Sequence, residues 1–289
     1  MKILRYIPLF IAAVATLVSC EKNEIEFPME HIDAKLSQIQ LYYLVPQVAN
    51  NANSIYKVEI DDQEIVQPNN AAVISVNNFI PSGAVAVYYA TDPKITDHRI
   101  KMYKGTSREL VYDRTIKLLP GKQQVVVHDF DKDPVVIDAG YDEDGFSFAT
   151  KPSFWSDSTG YVRLYNFLYE EKGVPYPGKI QYQGQFTKTW GDKSKTEWFN
   201  VGEPVAFGEA TSWNAITVNA VPAASYGDTR VDYRIVDENG DVIQVLNASN
   251  KMVNYSDYWT LRPGRRYMHF FRGYRTQTPV CGVSSFGAL

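Results

Sequence analysis

The sequence predicts an all-β protein built from two tandem β-sandwich domains. Three observations carry that reading. From residue 37 onward, short runs rich in Val, Ile, Tyr and Phe alternate with clusters of Gly, Pro, Asn and Asp, and helical periodicity is scarce. The chain repeats its own landmarks in order. Its length leaves room for two domains: without the first 19 of 289 residues, 270 remain, against ~100–200 per domain. A hydrophobic content of 45% suffices for two cores and is too high for wholesale disorder.

The N-terminus reads as an export signal. Lys2 and Arg5 precede an apolar stretch over residues 7–18, which ends in Leu17-Val18-Ser19-Cys20. The stretch is about a dozen residues, and a membrane-spanning helix needs about 20. A cysteine after Leu-Val-Ser resembles the lipobox of bacterial lipoproteins. That resemblance implies cleavage after residue 19 and acylation of Cys20, which gives the chain a membrane partner through the lipid. Residues 20–36 begin Cys20-Glu21-Lys22-Asn23-Glu24 and read as an acidic tether. Acidic residues directly after the lipidated cysteine resemble the surface-export signals of Bacteroidetes lipoproteins, so the expected location is the outer membrane, facing the exterior. Losing Lys2 and Arg5 takes the formal charge from −4 to −6, which argues against a nucleic-acid partner.

The strand signals fall in order at residues 39–45, 56–60, 73–76, 85–89 and 124–128. They resume at 161–168, 215–218, 231–236 and 267–271. Asn239-Gly240 sits between 233–236 and 242–245 and predicts a hairpin turn in which both residues take positive φ. The repeat has several landmarks. Ile39-Gln40-Leu41-Tyr42-Tyr43-Leu44 matches Val162-Arg163-Leu164-Tyr165-Asn166-Phe167, and Val58-Glu59-Ile60 matches Ile180-Gln181-Tyr182. Phe79-Ile80-Pro81 stands where Ala220-Val221-Pro222 does. The best match is Leu118-Leu119-Pro120-Gly121-Lys122 against Leu261-Arg262-Pro263-Gly264-Arg265, with Tyr112 and Tyr255 at equal distance before each proline. These landmarks place domain 1 at 37–138, a linker at 139–159 and domain 2 at 160–289. Domain 2 carries an insertion at about 187–211.

The order of an aromatic strand, a Val-x-Ile-Asp strand, a proline turn and a Leu-x-Pro-Gly-Lys/Arg turn resembles the domain-of-unknown-function 4397 family, found in tandem in Bacteroidetes surface lipoproteins. The resemblance covers about 37–138 and 160–289. It implies Ig-like or transthyretin-like sandwiches and no catalytic activity. Domain 2 departs from the pattern after Pro222 and in the insertion.

Chemistry is sparse. His31, His98, His128 and His269 share no metal-ligand spacing. There is no Gly-x-Ser-x-Gly elbow and no Gly-rich phosphate loop. Cys281, within an apolar stretch, reads as a small buried hydrophobe. Two acidic clusters are weak calcium candidates: Asp138 with Asp142, Glu143 and Asp144 in the linker, and Asp237 to Asp241 in the hairpin. A charged linker and a solvated turn are the simpler readings of both, and no cofactor is expected.

Four of the five tryptophans, Trp155, Trp190, Trp198 and Trp213, lie in the linker or around the insertion. Exposed aromatics on loops stack on sugar rings; otherwise they seal sandwich ends. Trp190, Trp198 and Trp213 are therefore the ligand-binding candidates. The leading expectation is a non-catalytic surface binding or adhesion module with a glycan or protein partner. The alternatives are a fimbria-like structural subunit or accessory component of an outer-membrane complex, and then a polysaccharide hydrolase.

Overall fold

The computed structural model describes residues 36–82, 88–92, 94–139, 159–189, 192–217 and 229–287. Cys20 and the whole export segment lie outside these residues, as do Trp155, Trp190, Asp142, Asp144, residues 220–224 and most of 85–89.

Twenty-one strands make up the described chain. The first nine are β1 (Ser37–Tyr43), β2 (Ile55–Ile60), β3 (Gln63–Val66), β4 (Asn78–Ile80), β5 (Tyr89–Ala90), β6 (Asp97–Lys104), β7 (Glu109–Lys117), β8 (Gly121–Val127) and β9 (Val135–Asp138). They form two sheets: sheet I in the order β4-β1-β8-β9 with β5 also on β1, and sheet II in the order β3-β2-β6-β7. Residues 73–76 form no strand and hold a single bridge, Ile55 to Ile74. Between the sheets sits a core that includes Ile39, Leu41 and Tyr43 from β1, Val58 and Ile60 from β2, and Val125 and Val127 from β8.

The other twelve strands repeat that plan. They are β10 (Thr159–Glu171), β11 (Val174–Pro175), β12 (Ile180–Thr189), β13 (Asp192–Lys195), β14 (Phe199–Val205), β15 (Asn214–Thr217), β16 (Thr229–Val236), β17 (Gln244–Leu246), β18 (Met252–Asn254), β19 (Asp257–Leu261), β20 (Arg266–Tyr274) and β21 (Gly282–Gly287). Sheet III runs β11-β10-β20-β21 with β15 on β10, and sheet IV runs β13-β12-β16-β19 with β14 on β12. The ribbon β17–β18 stands apart. The core between sheets III and IV includes Val162, Leu164, Tyr182, Val231, Tyr233 and Phe271.

The repeat seen in sequence is a repeat of topology. β1 pairs in parallel with β8, and β10 pairs in parallel with β20. The Pro-Gly turn leads into the parallel strand in the same way each time. Gly121 has φ 104° and Gly264 has φ 70°. The Gly121 N–H donates to the Leu36 carbonyl at 3.0 Å, and the Gly264 N–H to the Thr159 carbonyl at 2.7 Å. A left-handed conformation is open to glycine at little cost, which accounts for the residue at both turns.

Two features differ from expectation. The stretch 187–211 is not a simple insertion, because β14 takes beside β12 the place that β3 takes beside β2. The Asn239-Gly240 turn is also of another kind. Gly240 has φ 86° and Asn239 stays at negative φ. The turn is instead held by the Asp237 carboxylate, whose Oδ1 accepts from the N–H groups of Asn239 and Asp241. Aspartate side chains do this readily because they imitate a backbone turn.

The two sandwiches pack face to face through sheets I and III. Tyr42, Leu44, Phe79, Val126 and Ile137 from the first meet Tyr165, Phe167, Met268 and Phe270 from the second in a third apolar cluster. β1 is consequently buried at all seven positions, one side facing its own core and the other facing the seam. Several polar groups in the seam are paired, although Gln124 Oε1 has no hydrogen-bond partner among the described residues. The Gln124 amide donates to the Met268 sulfur at 2.8 Å, and the Tyr42 hydroxyl donates to Gln40 Oε1 at 2.8 Å. Both sandwiches belong to one contact unit.

Candidate functional site

Sheet IV presents a patterned outer face. β16 alternates from Thr229 to Ile235: Val231, Tyr233 and Ile235 point into the core, and Arg230, Asp232 and Arg234 point out. On β12, Tyr182 and Phe186 are buried, and Gln181, Gln183 and Gln185 face outward between them. Period-two alternation thus places a row of planar amides beside a row of charges.

These side chains form a ladder across three strands. The Arg234 guanidinium carbon stands 4.3 Å from the ring centre of Trp198. Arg234 Nε donates to Gln183 Oε1 at 2.8 Å, and Gln183 Nε2 donates to Asn200 Oδ1 at 2.8 Å. One bond therefore fixes Arg234 from the side while the indole supports it from the face. Its terminal Nη groups meet no hydrogen-bond acceptor among the described residues. No carboxylate there is within ion-pair reach of it.

A second stack lies four residues back on the same strand. The Arg230 guanidinium is 3.8 Å from the centre of the Tyr258 ring, which is 53% exposed. Arg230 Nε also reaches Asp232 Oδ1 at 3.0 Å, and Lys195 Nζ reaches Asp232 Oδ2 at 2.6 Å. Burial alone would lift the Asp232 carboxyl, but Lys195 and Arg230 outweigh it and hold the group below its ordinary value. Asp232 is thus a neutralised anion. Among the described side chains of β13 and β16, Lys195, Arg230 and Arg234 stand with the single carboxylate of Asp232, which two of them engage.

The structure separates the tryptophans that sequence grouped together. Trp198 stands on this outer face. Trp213 packs against the seam cluster, and its indole N–H donates to the Ala139 carbonyl at 3.3 Å. Beside it Arg163 clamps the end of β9, donating to the Asp138 carbonyl at 2.7 Å and to the Thr211 carbonyl at 2.7 Å. Trp213 thus has a structural position at the junction. Trp259 packs against the second core. Sequence reading missed Arg234, Gln183, Asn200, Arg230 and Tyr258. The alternation in Arg230-Val231-Asp232-Tyr233-Arg234 was a usable signal for one charged face.

Other candidates resolve differently. Among the described residues, no group of three or more His, Cys, Asp or Glu is placed to hold a metal. Asp138 contributes its carbonyl to Arg163, and Asp237 is engaged in its own turn. The three described histidines each have a partner: His98 with Asp61 at 2.7 Å, His128 with the Tyr169 hydroxyl at 2.6 Å, and His269 with the Tyr182 hydroxyl at 3.1 Å. Burial lowers the His128 pKa to about 4 and the His269 pKa to about 3. A cleft of about 680 Å³ opens where the two sandwiches meet, lined by Gln47, His128, Asp129, Tyr169, Lys172 and Tyr274 among others. Among the described residues, no helix is long and apolar enough to cross a membrane.

Comparison with known proteins gives distant likenesses. No family model matches the chain, and no curated protein matches it. Among solved structures, a candidate cell adhesion protein from Bacteroides uniformis ATCC 8492 is similar over 88% of this chain and 98% of its own, at 7% identity and a TM-score of 0.24. A leucine-rich repeat protein from Bacteroides thetaiotaomicron VPI-5482 is similar over 84% of this chain at 9% identity and a TM-score of 0.19. The matched part is 26% of that protein's length.

Proposed function

We propose that this protein is a non-catalytic, lipid-anchored surface module of the bacterial outer membrane that binds a glycan on the outer face of sheet IV. The observation that carries the reading is the Trp198–Arg234–Gln183–Asn200 ladder. Saccharides are recognised by an aromatic platform for the ring's apolar face together with fixed planar donors and acceptors for its hydroxyls. Both kinds of group meet here: Gln183, Asn200 and Arg234 are held on strands packed on the core, and Trp198 immediately precedes β14. The lipid anchor rests on Lys2, Arg5 and the Leu17-Val18-Ser19-Cys20 segment.

The test is a glycan panel titrated against the soluble chain, residues 21–289, followed by tryptophan fluorescence. A saturable shift that disappears in Trp198→Ala and survives in Tyr56→Phe, on the other sandwich, supports the reading. A blank panel overturns it. Replacing Cys20 by Ser should move the full-length protein from the membrane to the soluble fraction, and retention on the membrane would remove the lipid anchor.

The fimbria-like alternative needs a free donor strand or an open groove. β21 is already paired with β20 over six positions, from Tyr267–Gly287 to Arg272–Gly282.

A further inference from the structure

We propose that the glycan taken by this face is acidic, a polysaccharide bearing carboxylates, and that Arg234 is the residue that reads the carboxylate. The inference rests on the glycan-binding reading above and adds the chemical class of the ligand.

A guanidinium carries five N–H donors in a rigid fork. In Arg234 one of them, on Nε, is committed to Gln183. The Nη edge has no acceptor among the described residues and belongs to a side chain that Trp198 and Gln183 already hold in place. That edge matches a carboxylate, which accepts two parallel N–H bonds. Holding the cation in advance means that a ligand need not order it on binding.

The surrounding charges favour an anion as well. The outward groups on β16 are Arg230, Asp232 and Arg234, and Lys195 reaches in from β13. Asp232 is met by both Lys195 and Arg230, so its charge does not offset that of Arg234. The residue preceding Trp198, Glu197, makes no ion pair with Arg234. The cations Lys195, Arg230 and Arg234 outnumber the carboxylates Asp232 and Glu197, on a chain whose formal charge is −4. A uronide chain stacking a ring beside Trp198 would find its carboxylate partner at Arg234 and a second aromatic–arginine pair at Tyr258 and Arg230. Those two arginines are four residues apart on one strand, about 13 Å.

The experiment compares polygalacturonate oligomers with their carboxyl-reduced neutral counterparts by calorimetry, using residues 21–289. Binding of the uronide is expected to exceed that of the reduced sugar by at least about tenfold and to weaken with added salt. Arg234→Gln should abolish that preference. Arg234→Lys should keep part of it, because the charge remains and the fork is lost. Each variant's melting temperature serves as the folding control. Equal affinity for the two sugars, or a preference unchanged in Arg234→Gln, overturns the inference. Neutral binding that Trp198→Ala removes would then leave the broader glycan reading standing. Absence of binding to either sugar and to the whole panel overturns both.

Discussion

Tyr42 on β1 stacks on Phe270 on β20 with ring centroids 4.7 Å apart, which joins the first sandwich to the second through two central strands. Phe270 also stacks on Tyr165 at 4.1 Å and meets the edge of Phe286 at 5.7 Å. The seam is therefore continuous with the strands that build both cores.

Removing the centre of that cluster should cost the whole molecule. Phe270→Ala is expected to destabilise by about 3–5 kcal/mol, the range for truncating a buried aromatic. The two sandwiches should unfold in one transition, with calorimetric and van't Hoff enthalpies in agreement. Two separate melting transitions in the wild-type protein would show that the seam does not couple them.

Acid should destabilise the protein through two buried histidines. Burial puts the folded pKa values at about 4 for His128 and about 3 for His269, below the ordinary ~6.5. The unfolded chain therefore takes up protons first as pH falls. Stability contributed by each neutral histidine is full above pH ~6.5 and is lost from there down towards its folded value, at roughly 1 kcal/mol per pH unit per residue. His269→Phe should flatten the fall in melting temperature between pH 6.5 and 4. An unchanged slope would show that His269 is not neutral and buried in solution.

The paired glycine turns should respond alike. Gly121→Ala and Gly264→Ala each place a side chain at positive φ and are expected to cost about 1 kcal/mol or more. Urea denaturation of both single variants measures this. A neutral result at either position would mean that its turn relaxes into another conformation.

Cys281 should be inert until the protein opens. Burial pushes its thiol up to about 12, despite its own backbone N–H and the nearby Arg272 and Arg275. In residues 21–289 it is the sole cysteine. A thiol reagent should therefore label the native protein at the rate of unfolding, and fast labelling at pH 7 would refute the buried position.

Strands and turns were legible in the sequence because their signals are local. The runs at 56–60, 124–128, 161–168, 231–236 and 267–271 fall in β2, β8, β10, β16 and β20 or at their ends, and the Pro-Gly landmarks mark equivalent turns. The seam was not legible. Gln38 and Gln40 alternate with Ile39 and Leu41, which reads as a wet outer face, yet Gln40 is 2% exposed because a second sheet covers it. Period-two alternation separates two faces of a strand without saying what each one meets. The candidate site was half legible for a similar reason. Trp198 stood out by residue type, but its partner Arg234 is 36 positions away and joins it through strand order, which a sequence pattern does not set. Trp213 looked equivalent to Trp198 and lies elsewhere for the same reason.

The parallel pairing of β1 with β8 has a mechanical side. Tension entering the chain at Ser37 and directed along β1 would not peel that strand away one bond at a time. It would load the pairings from Ser37–Gly121 to Tyr43–Val127 together, in shear, while sheet III grips the outward side chains of the strand. Resistance of that kind is set by an unfolding rate rather than by equilibrium stability. Under the surface role proposed above, a bound polymer pulled by flow would load that strand first.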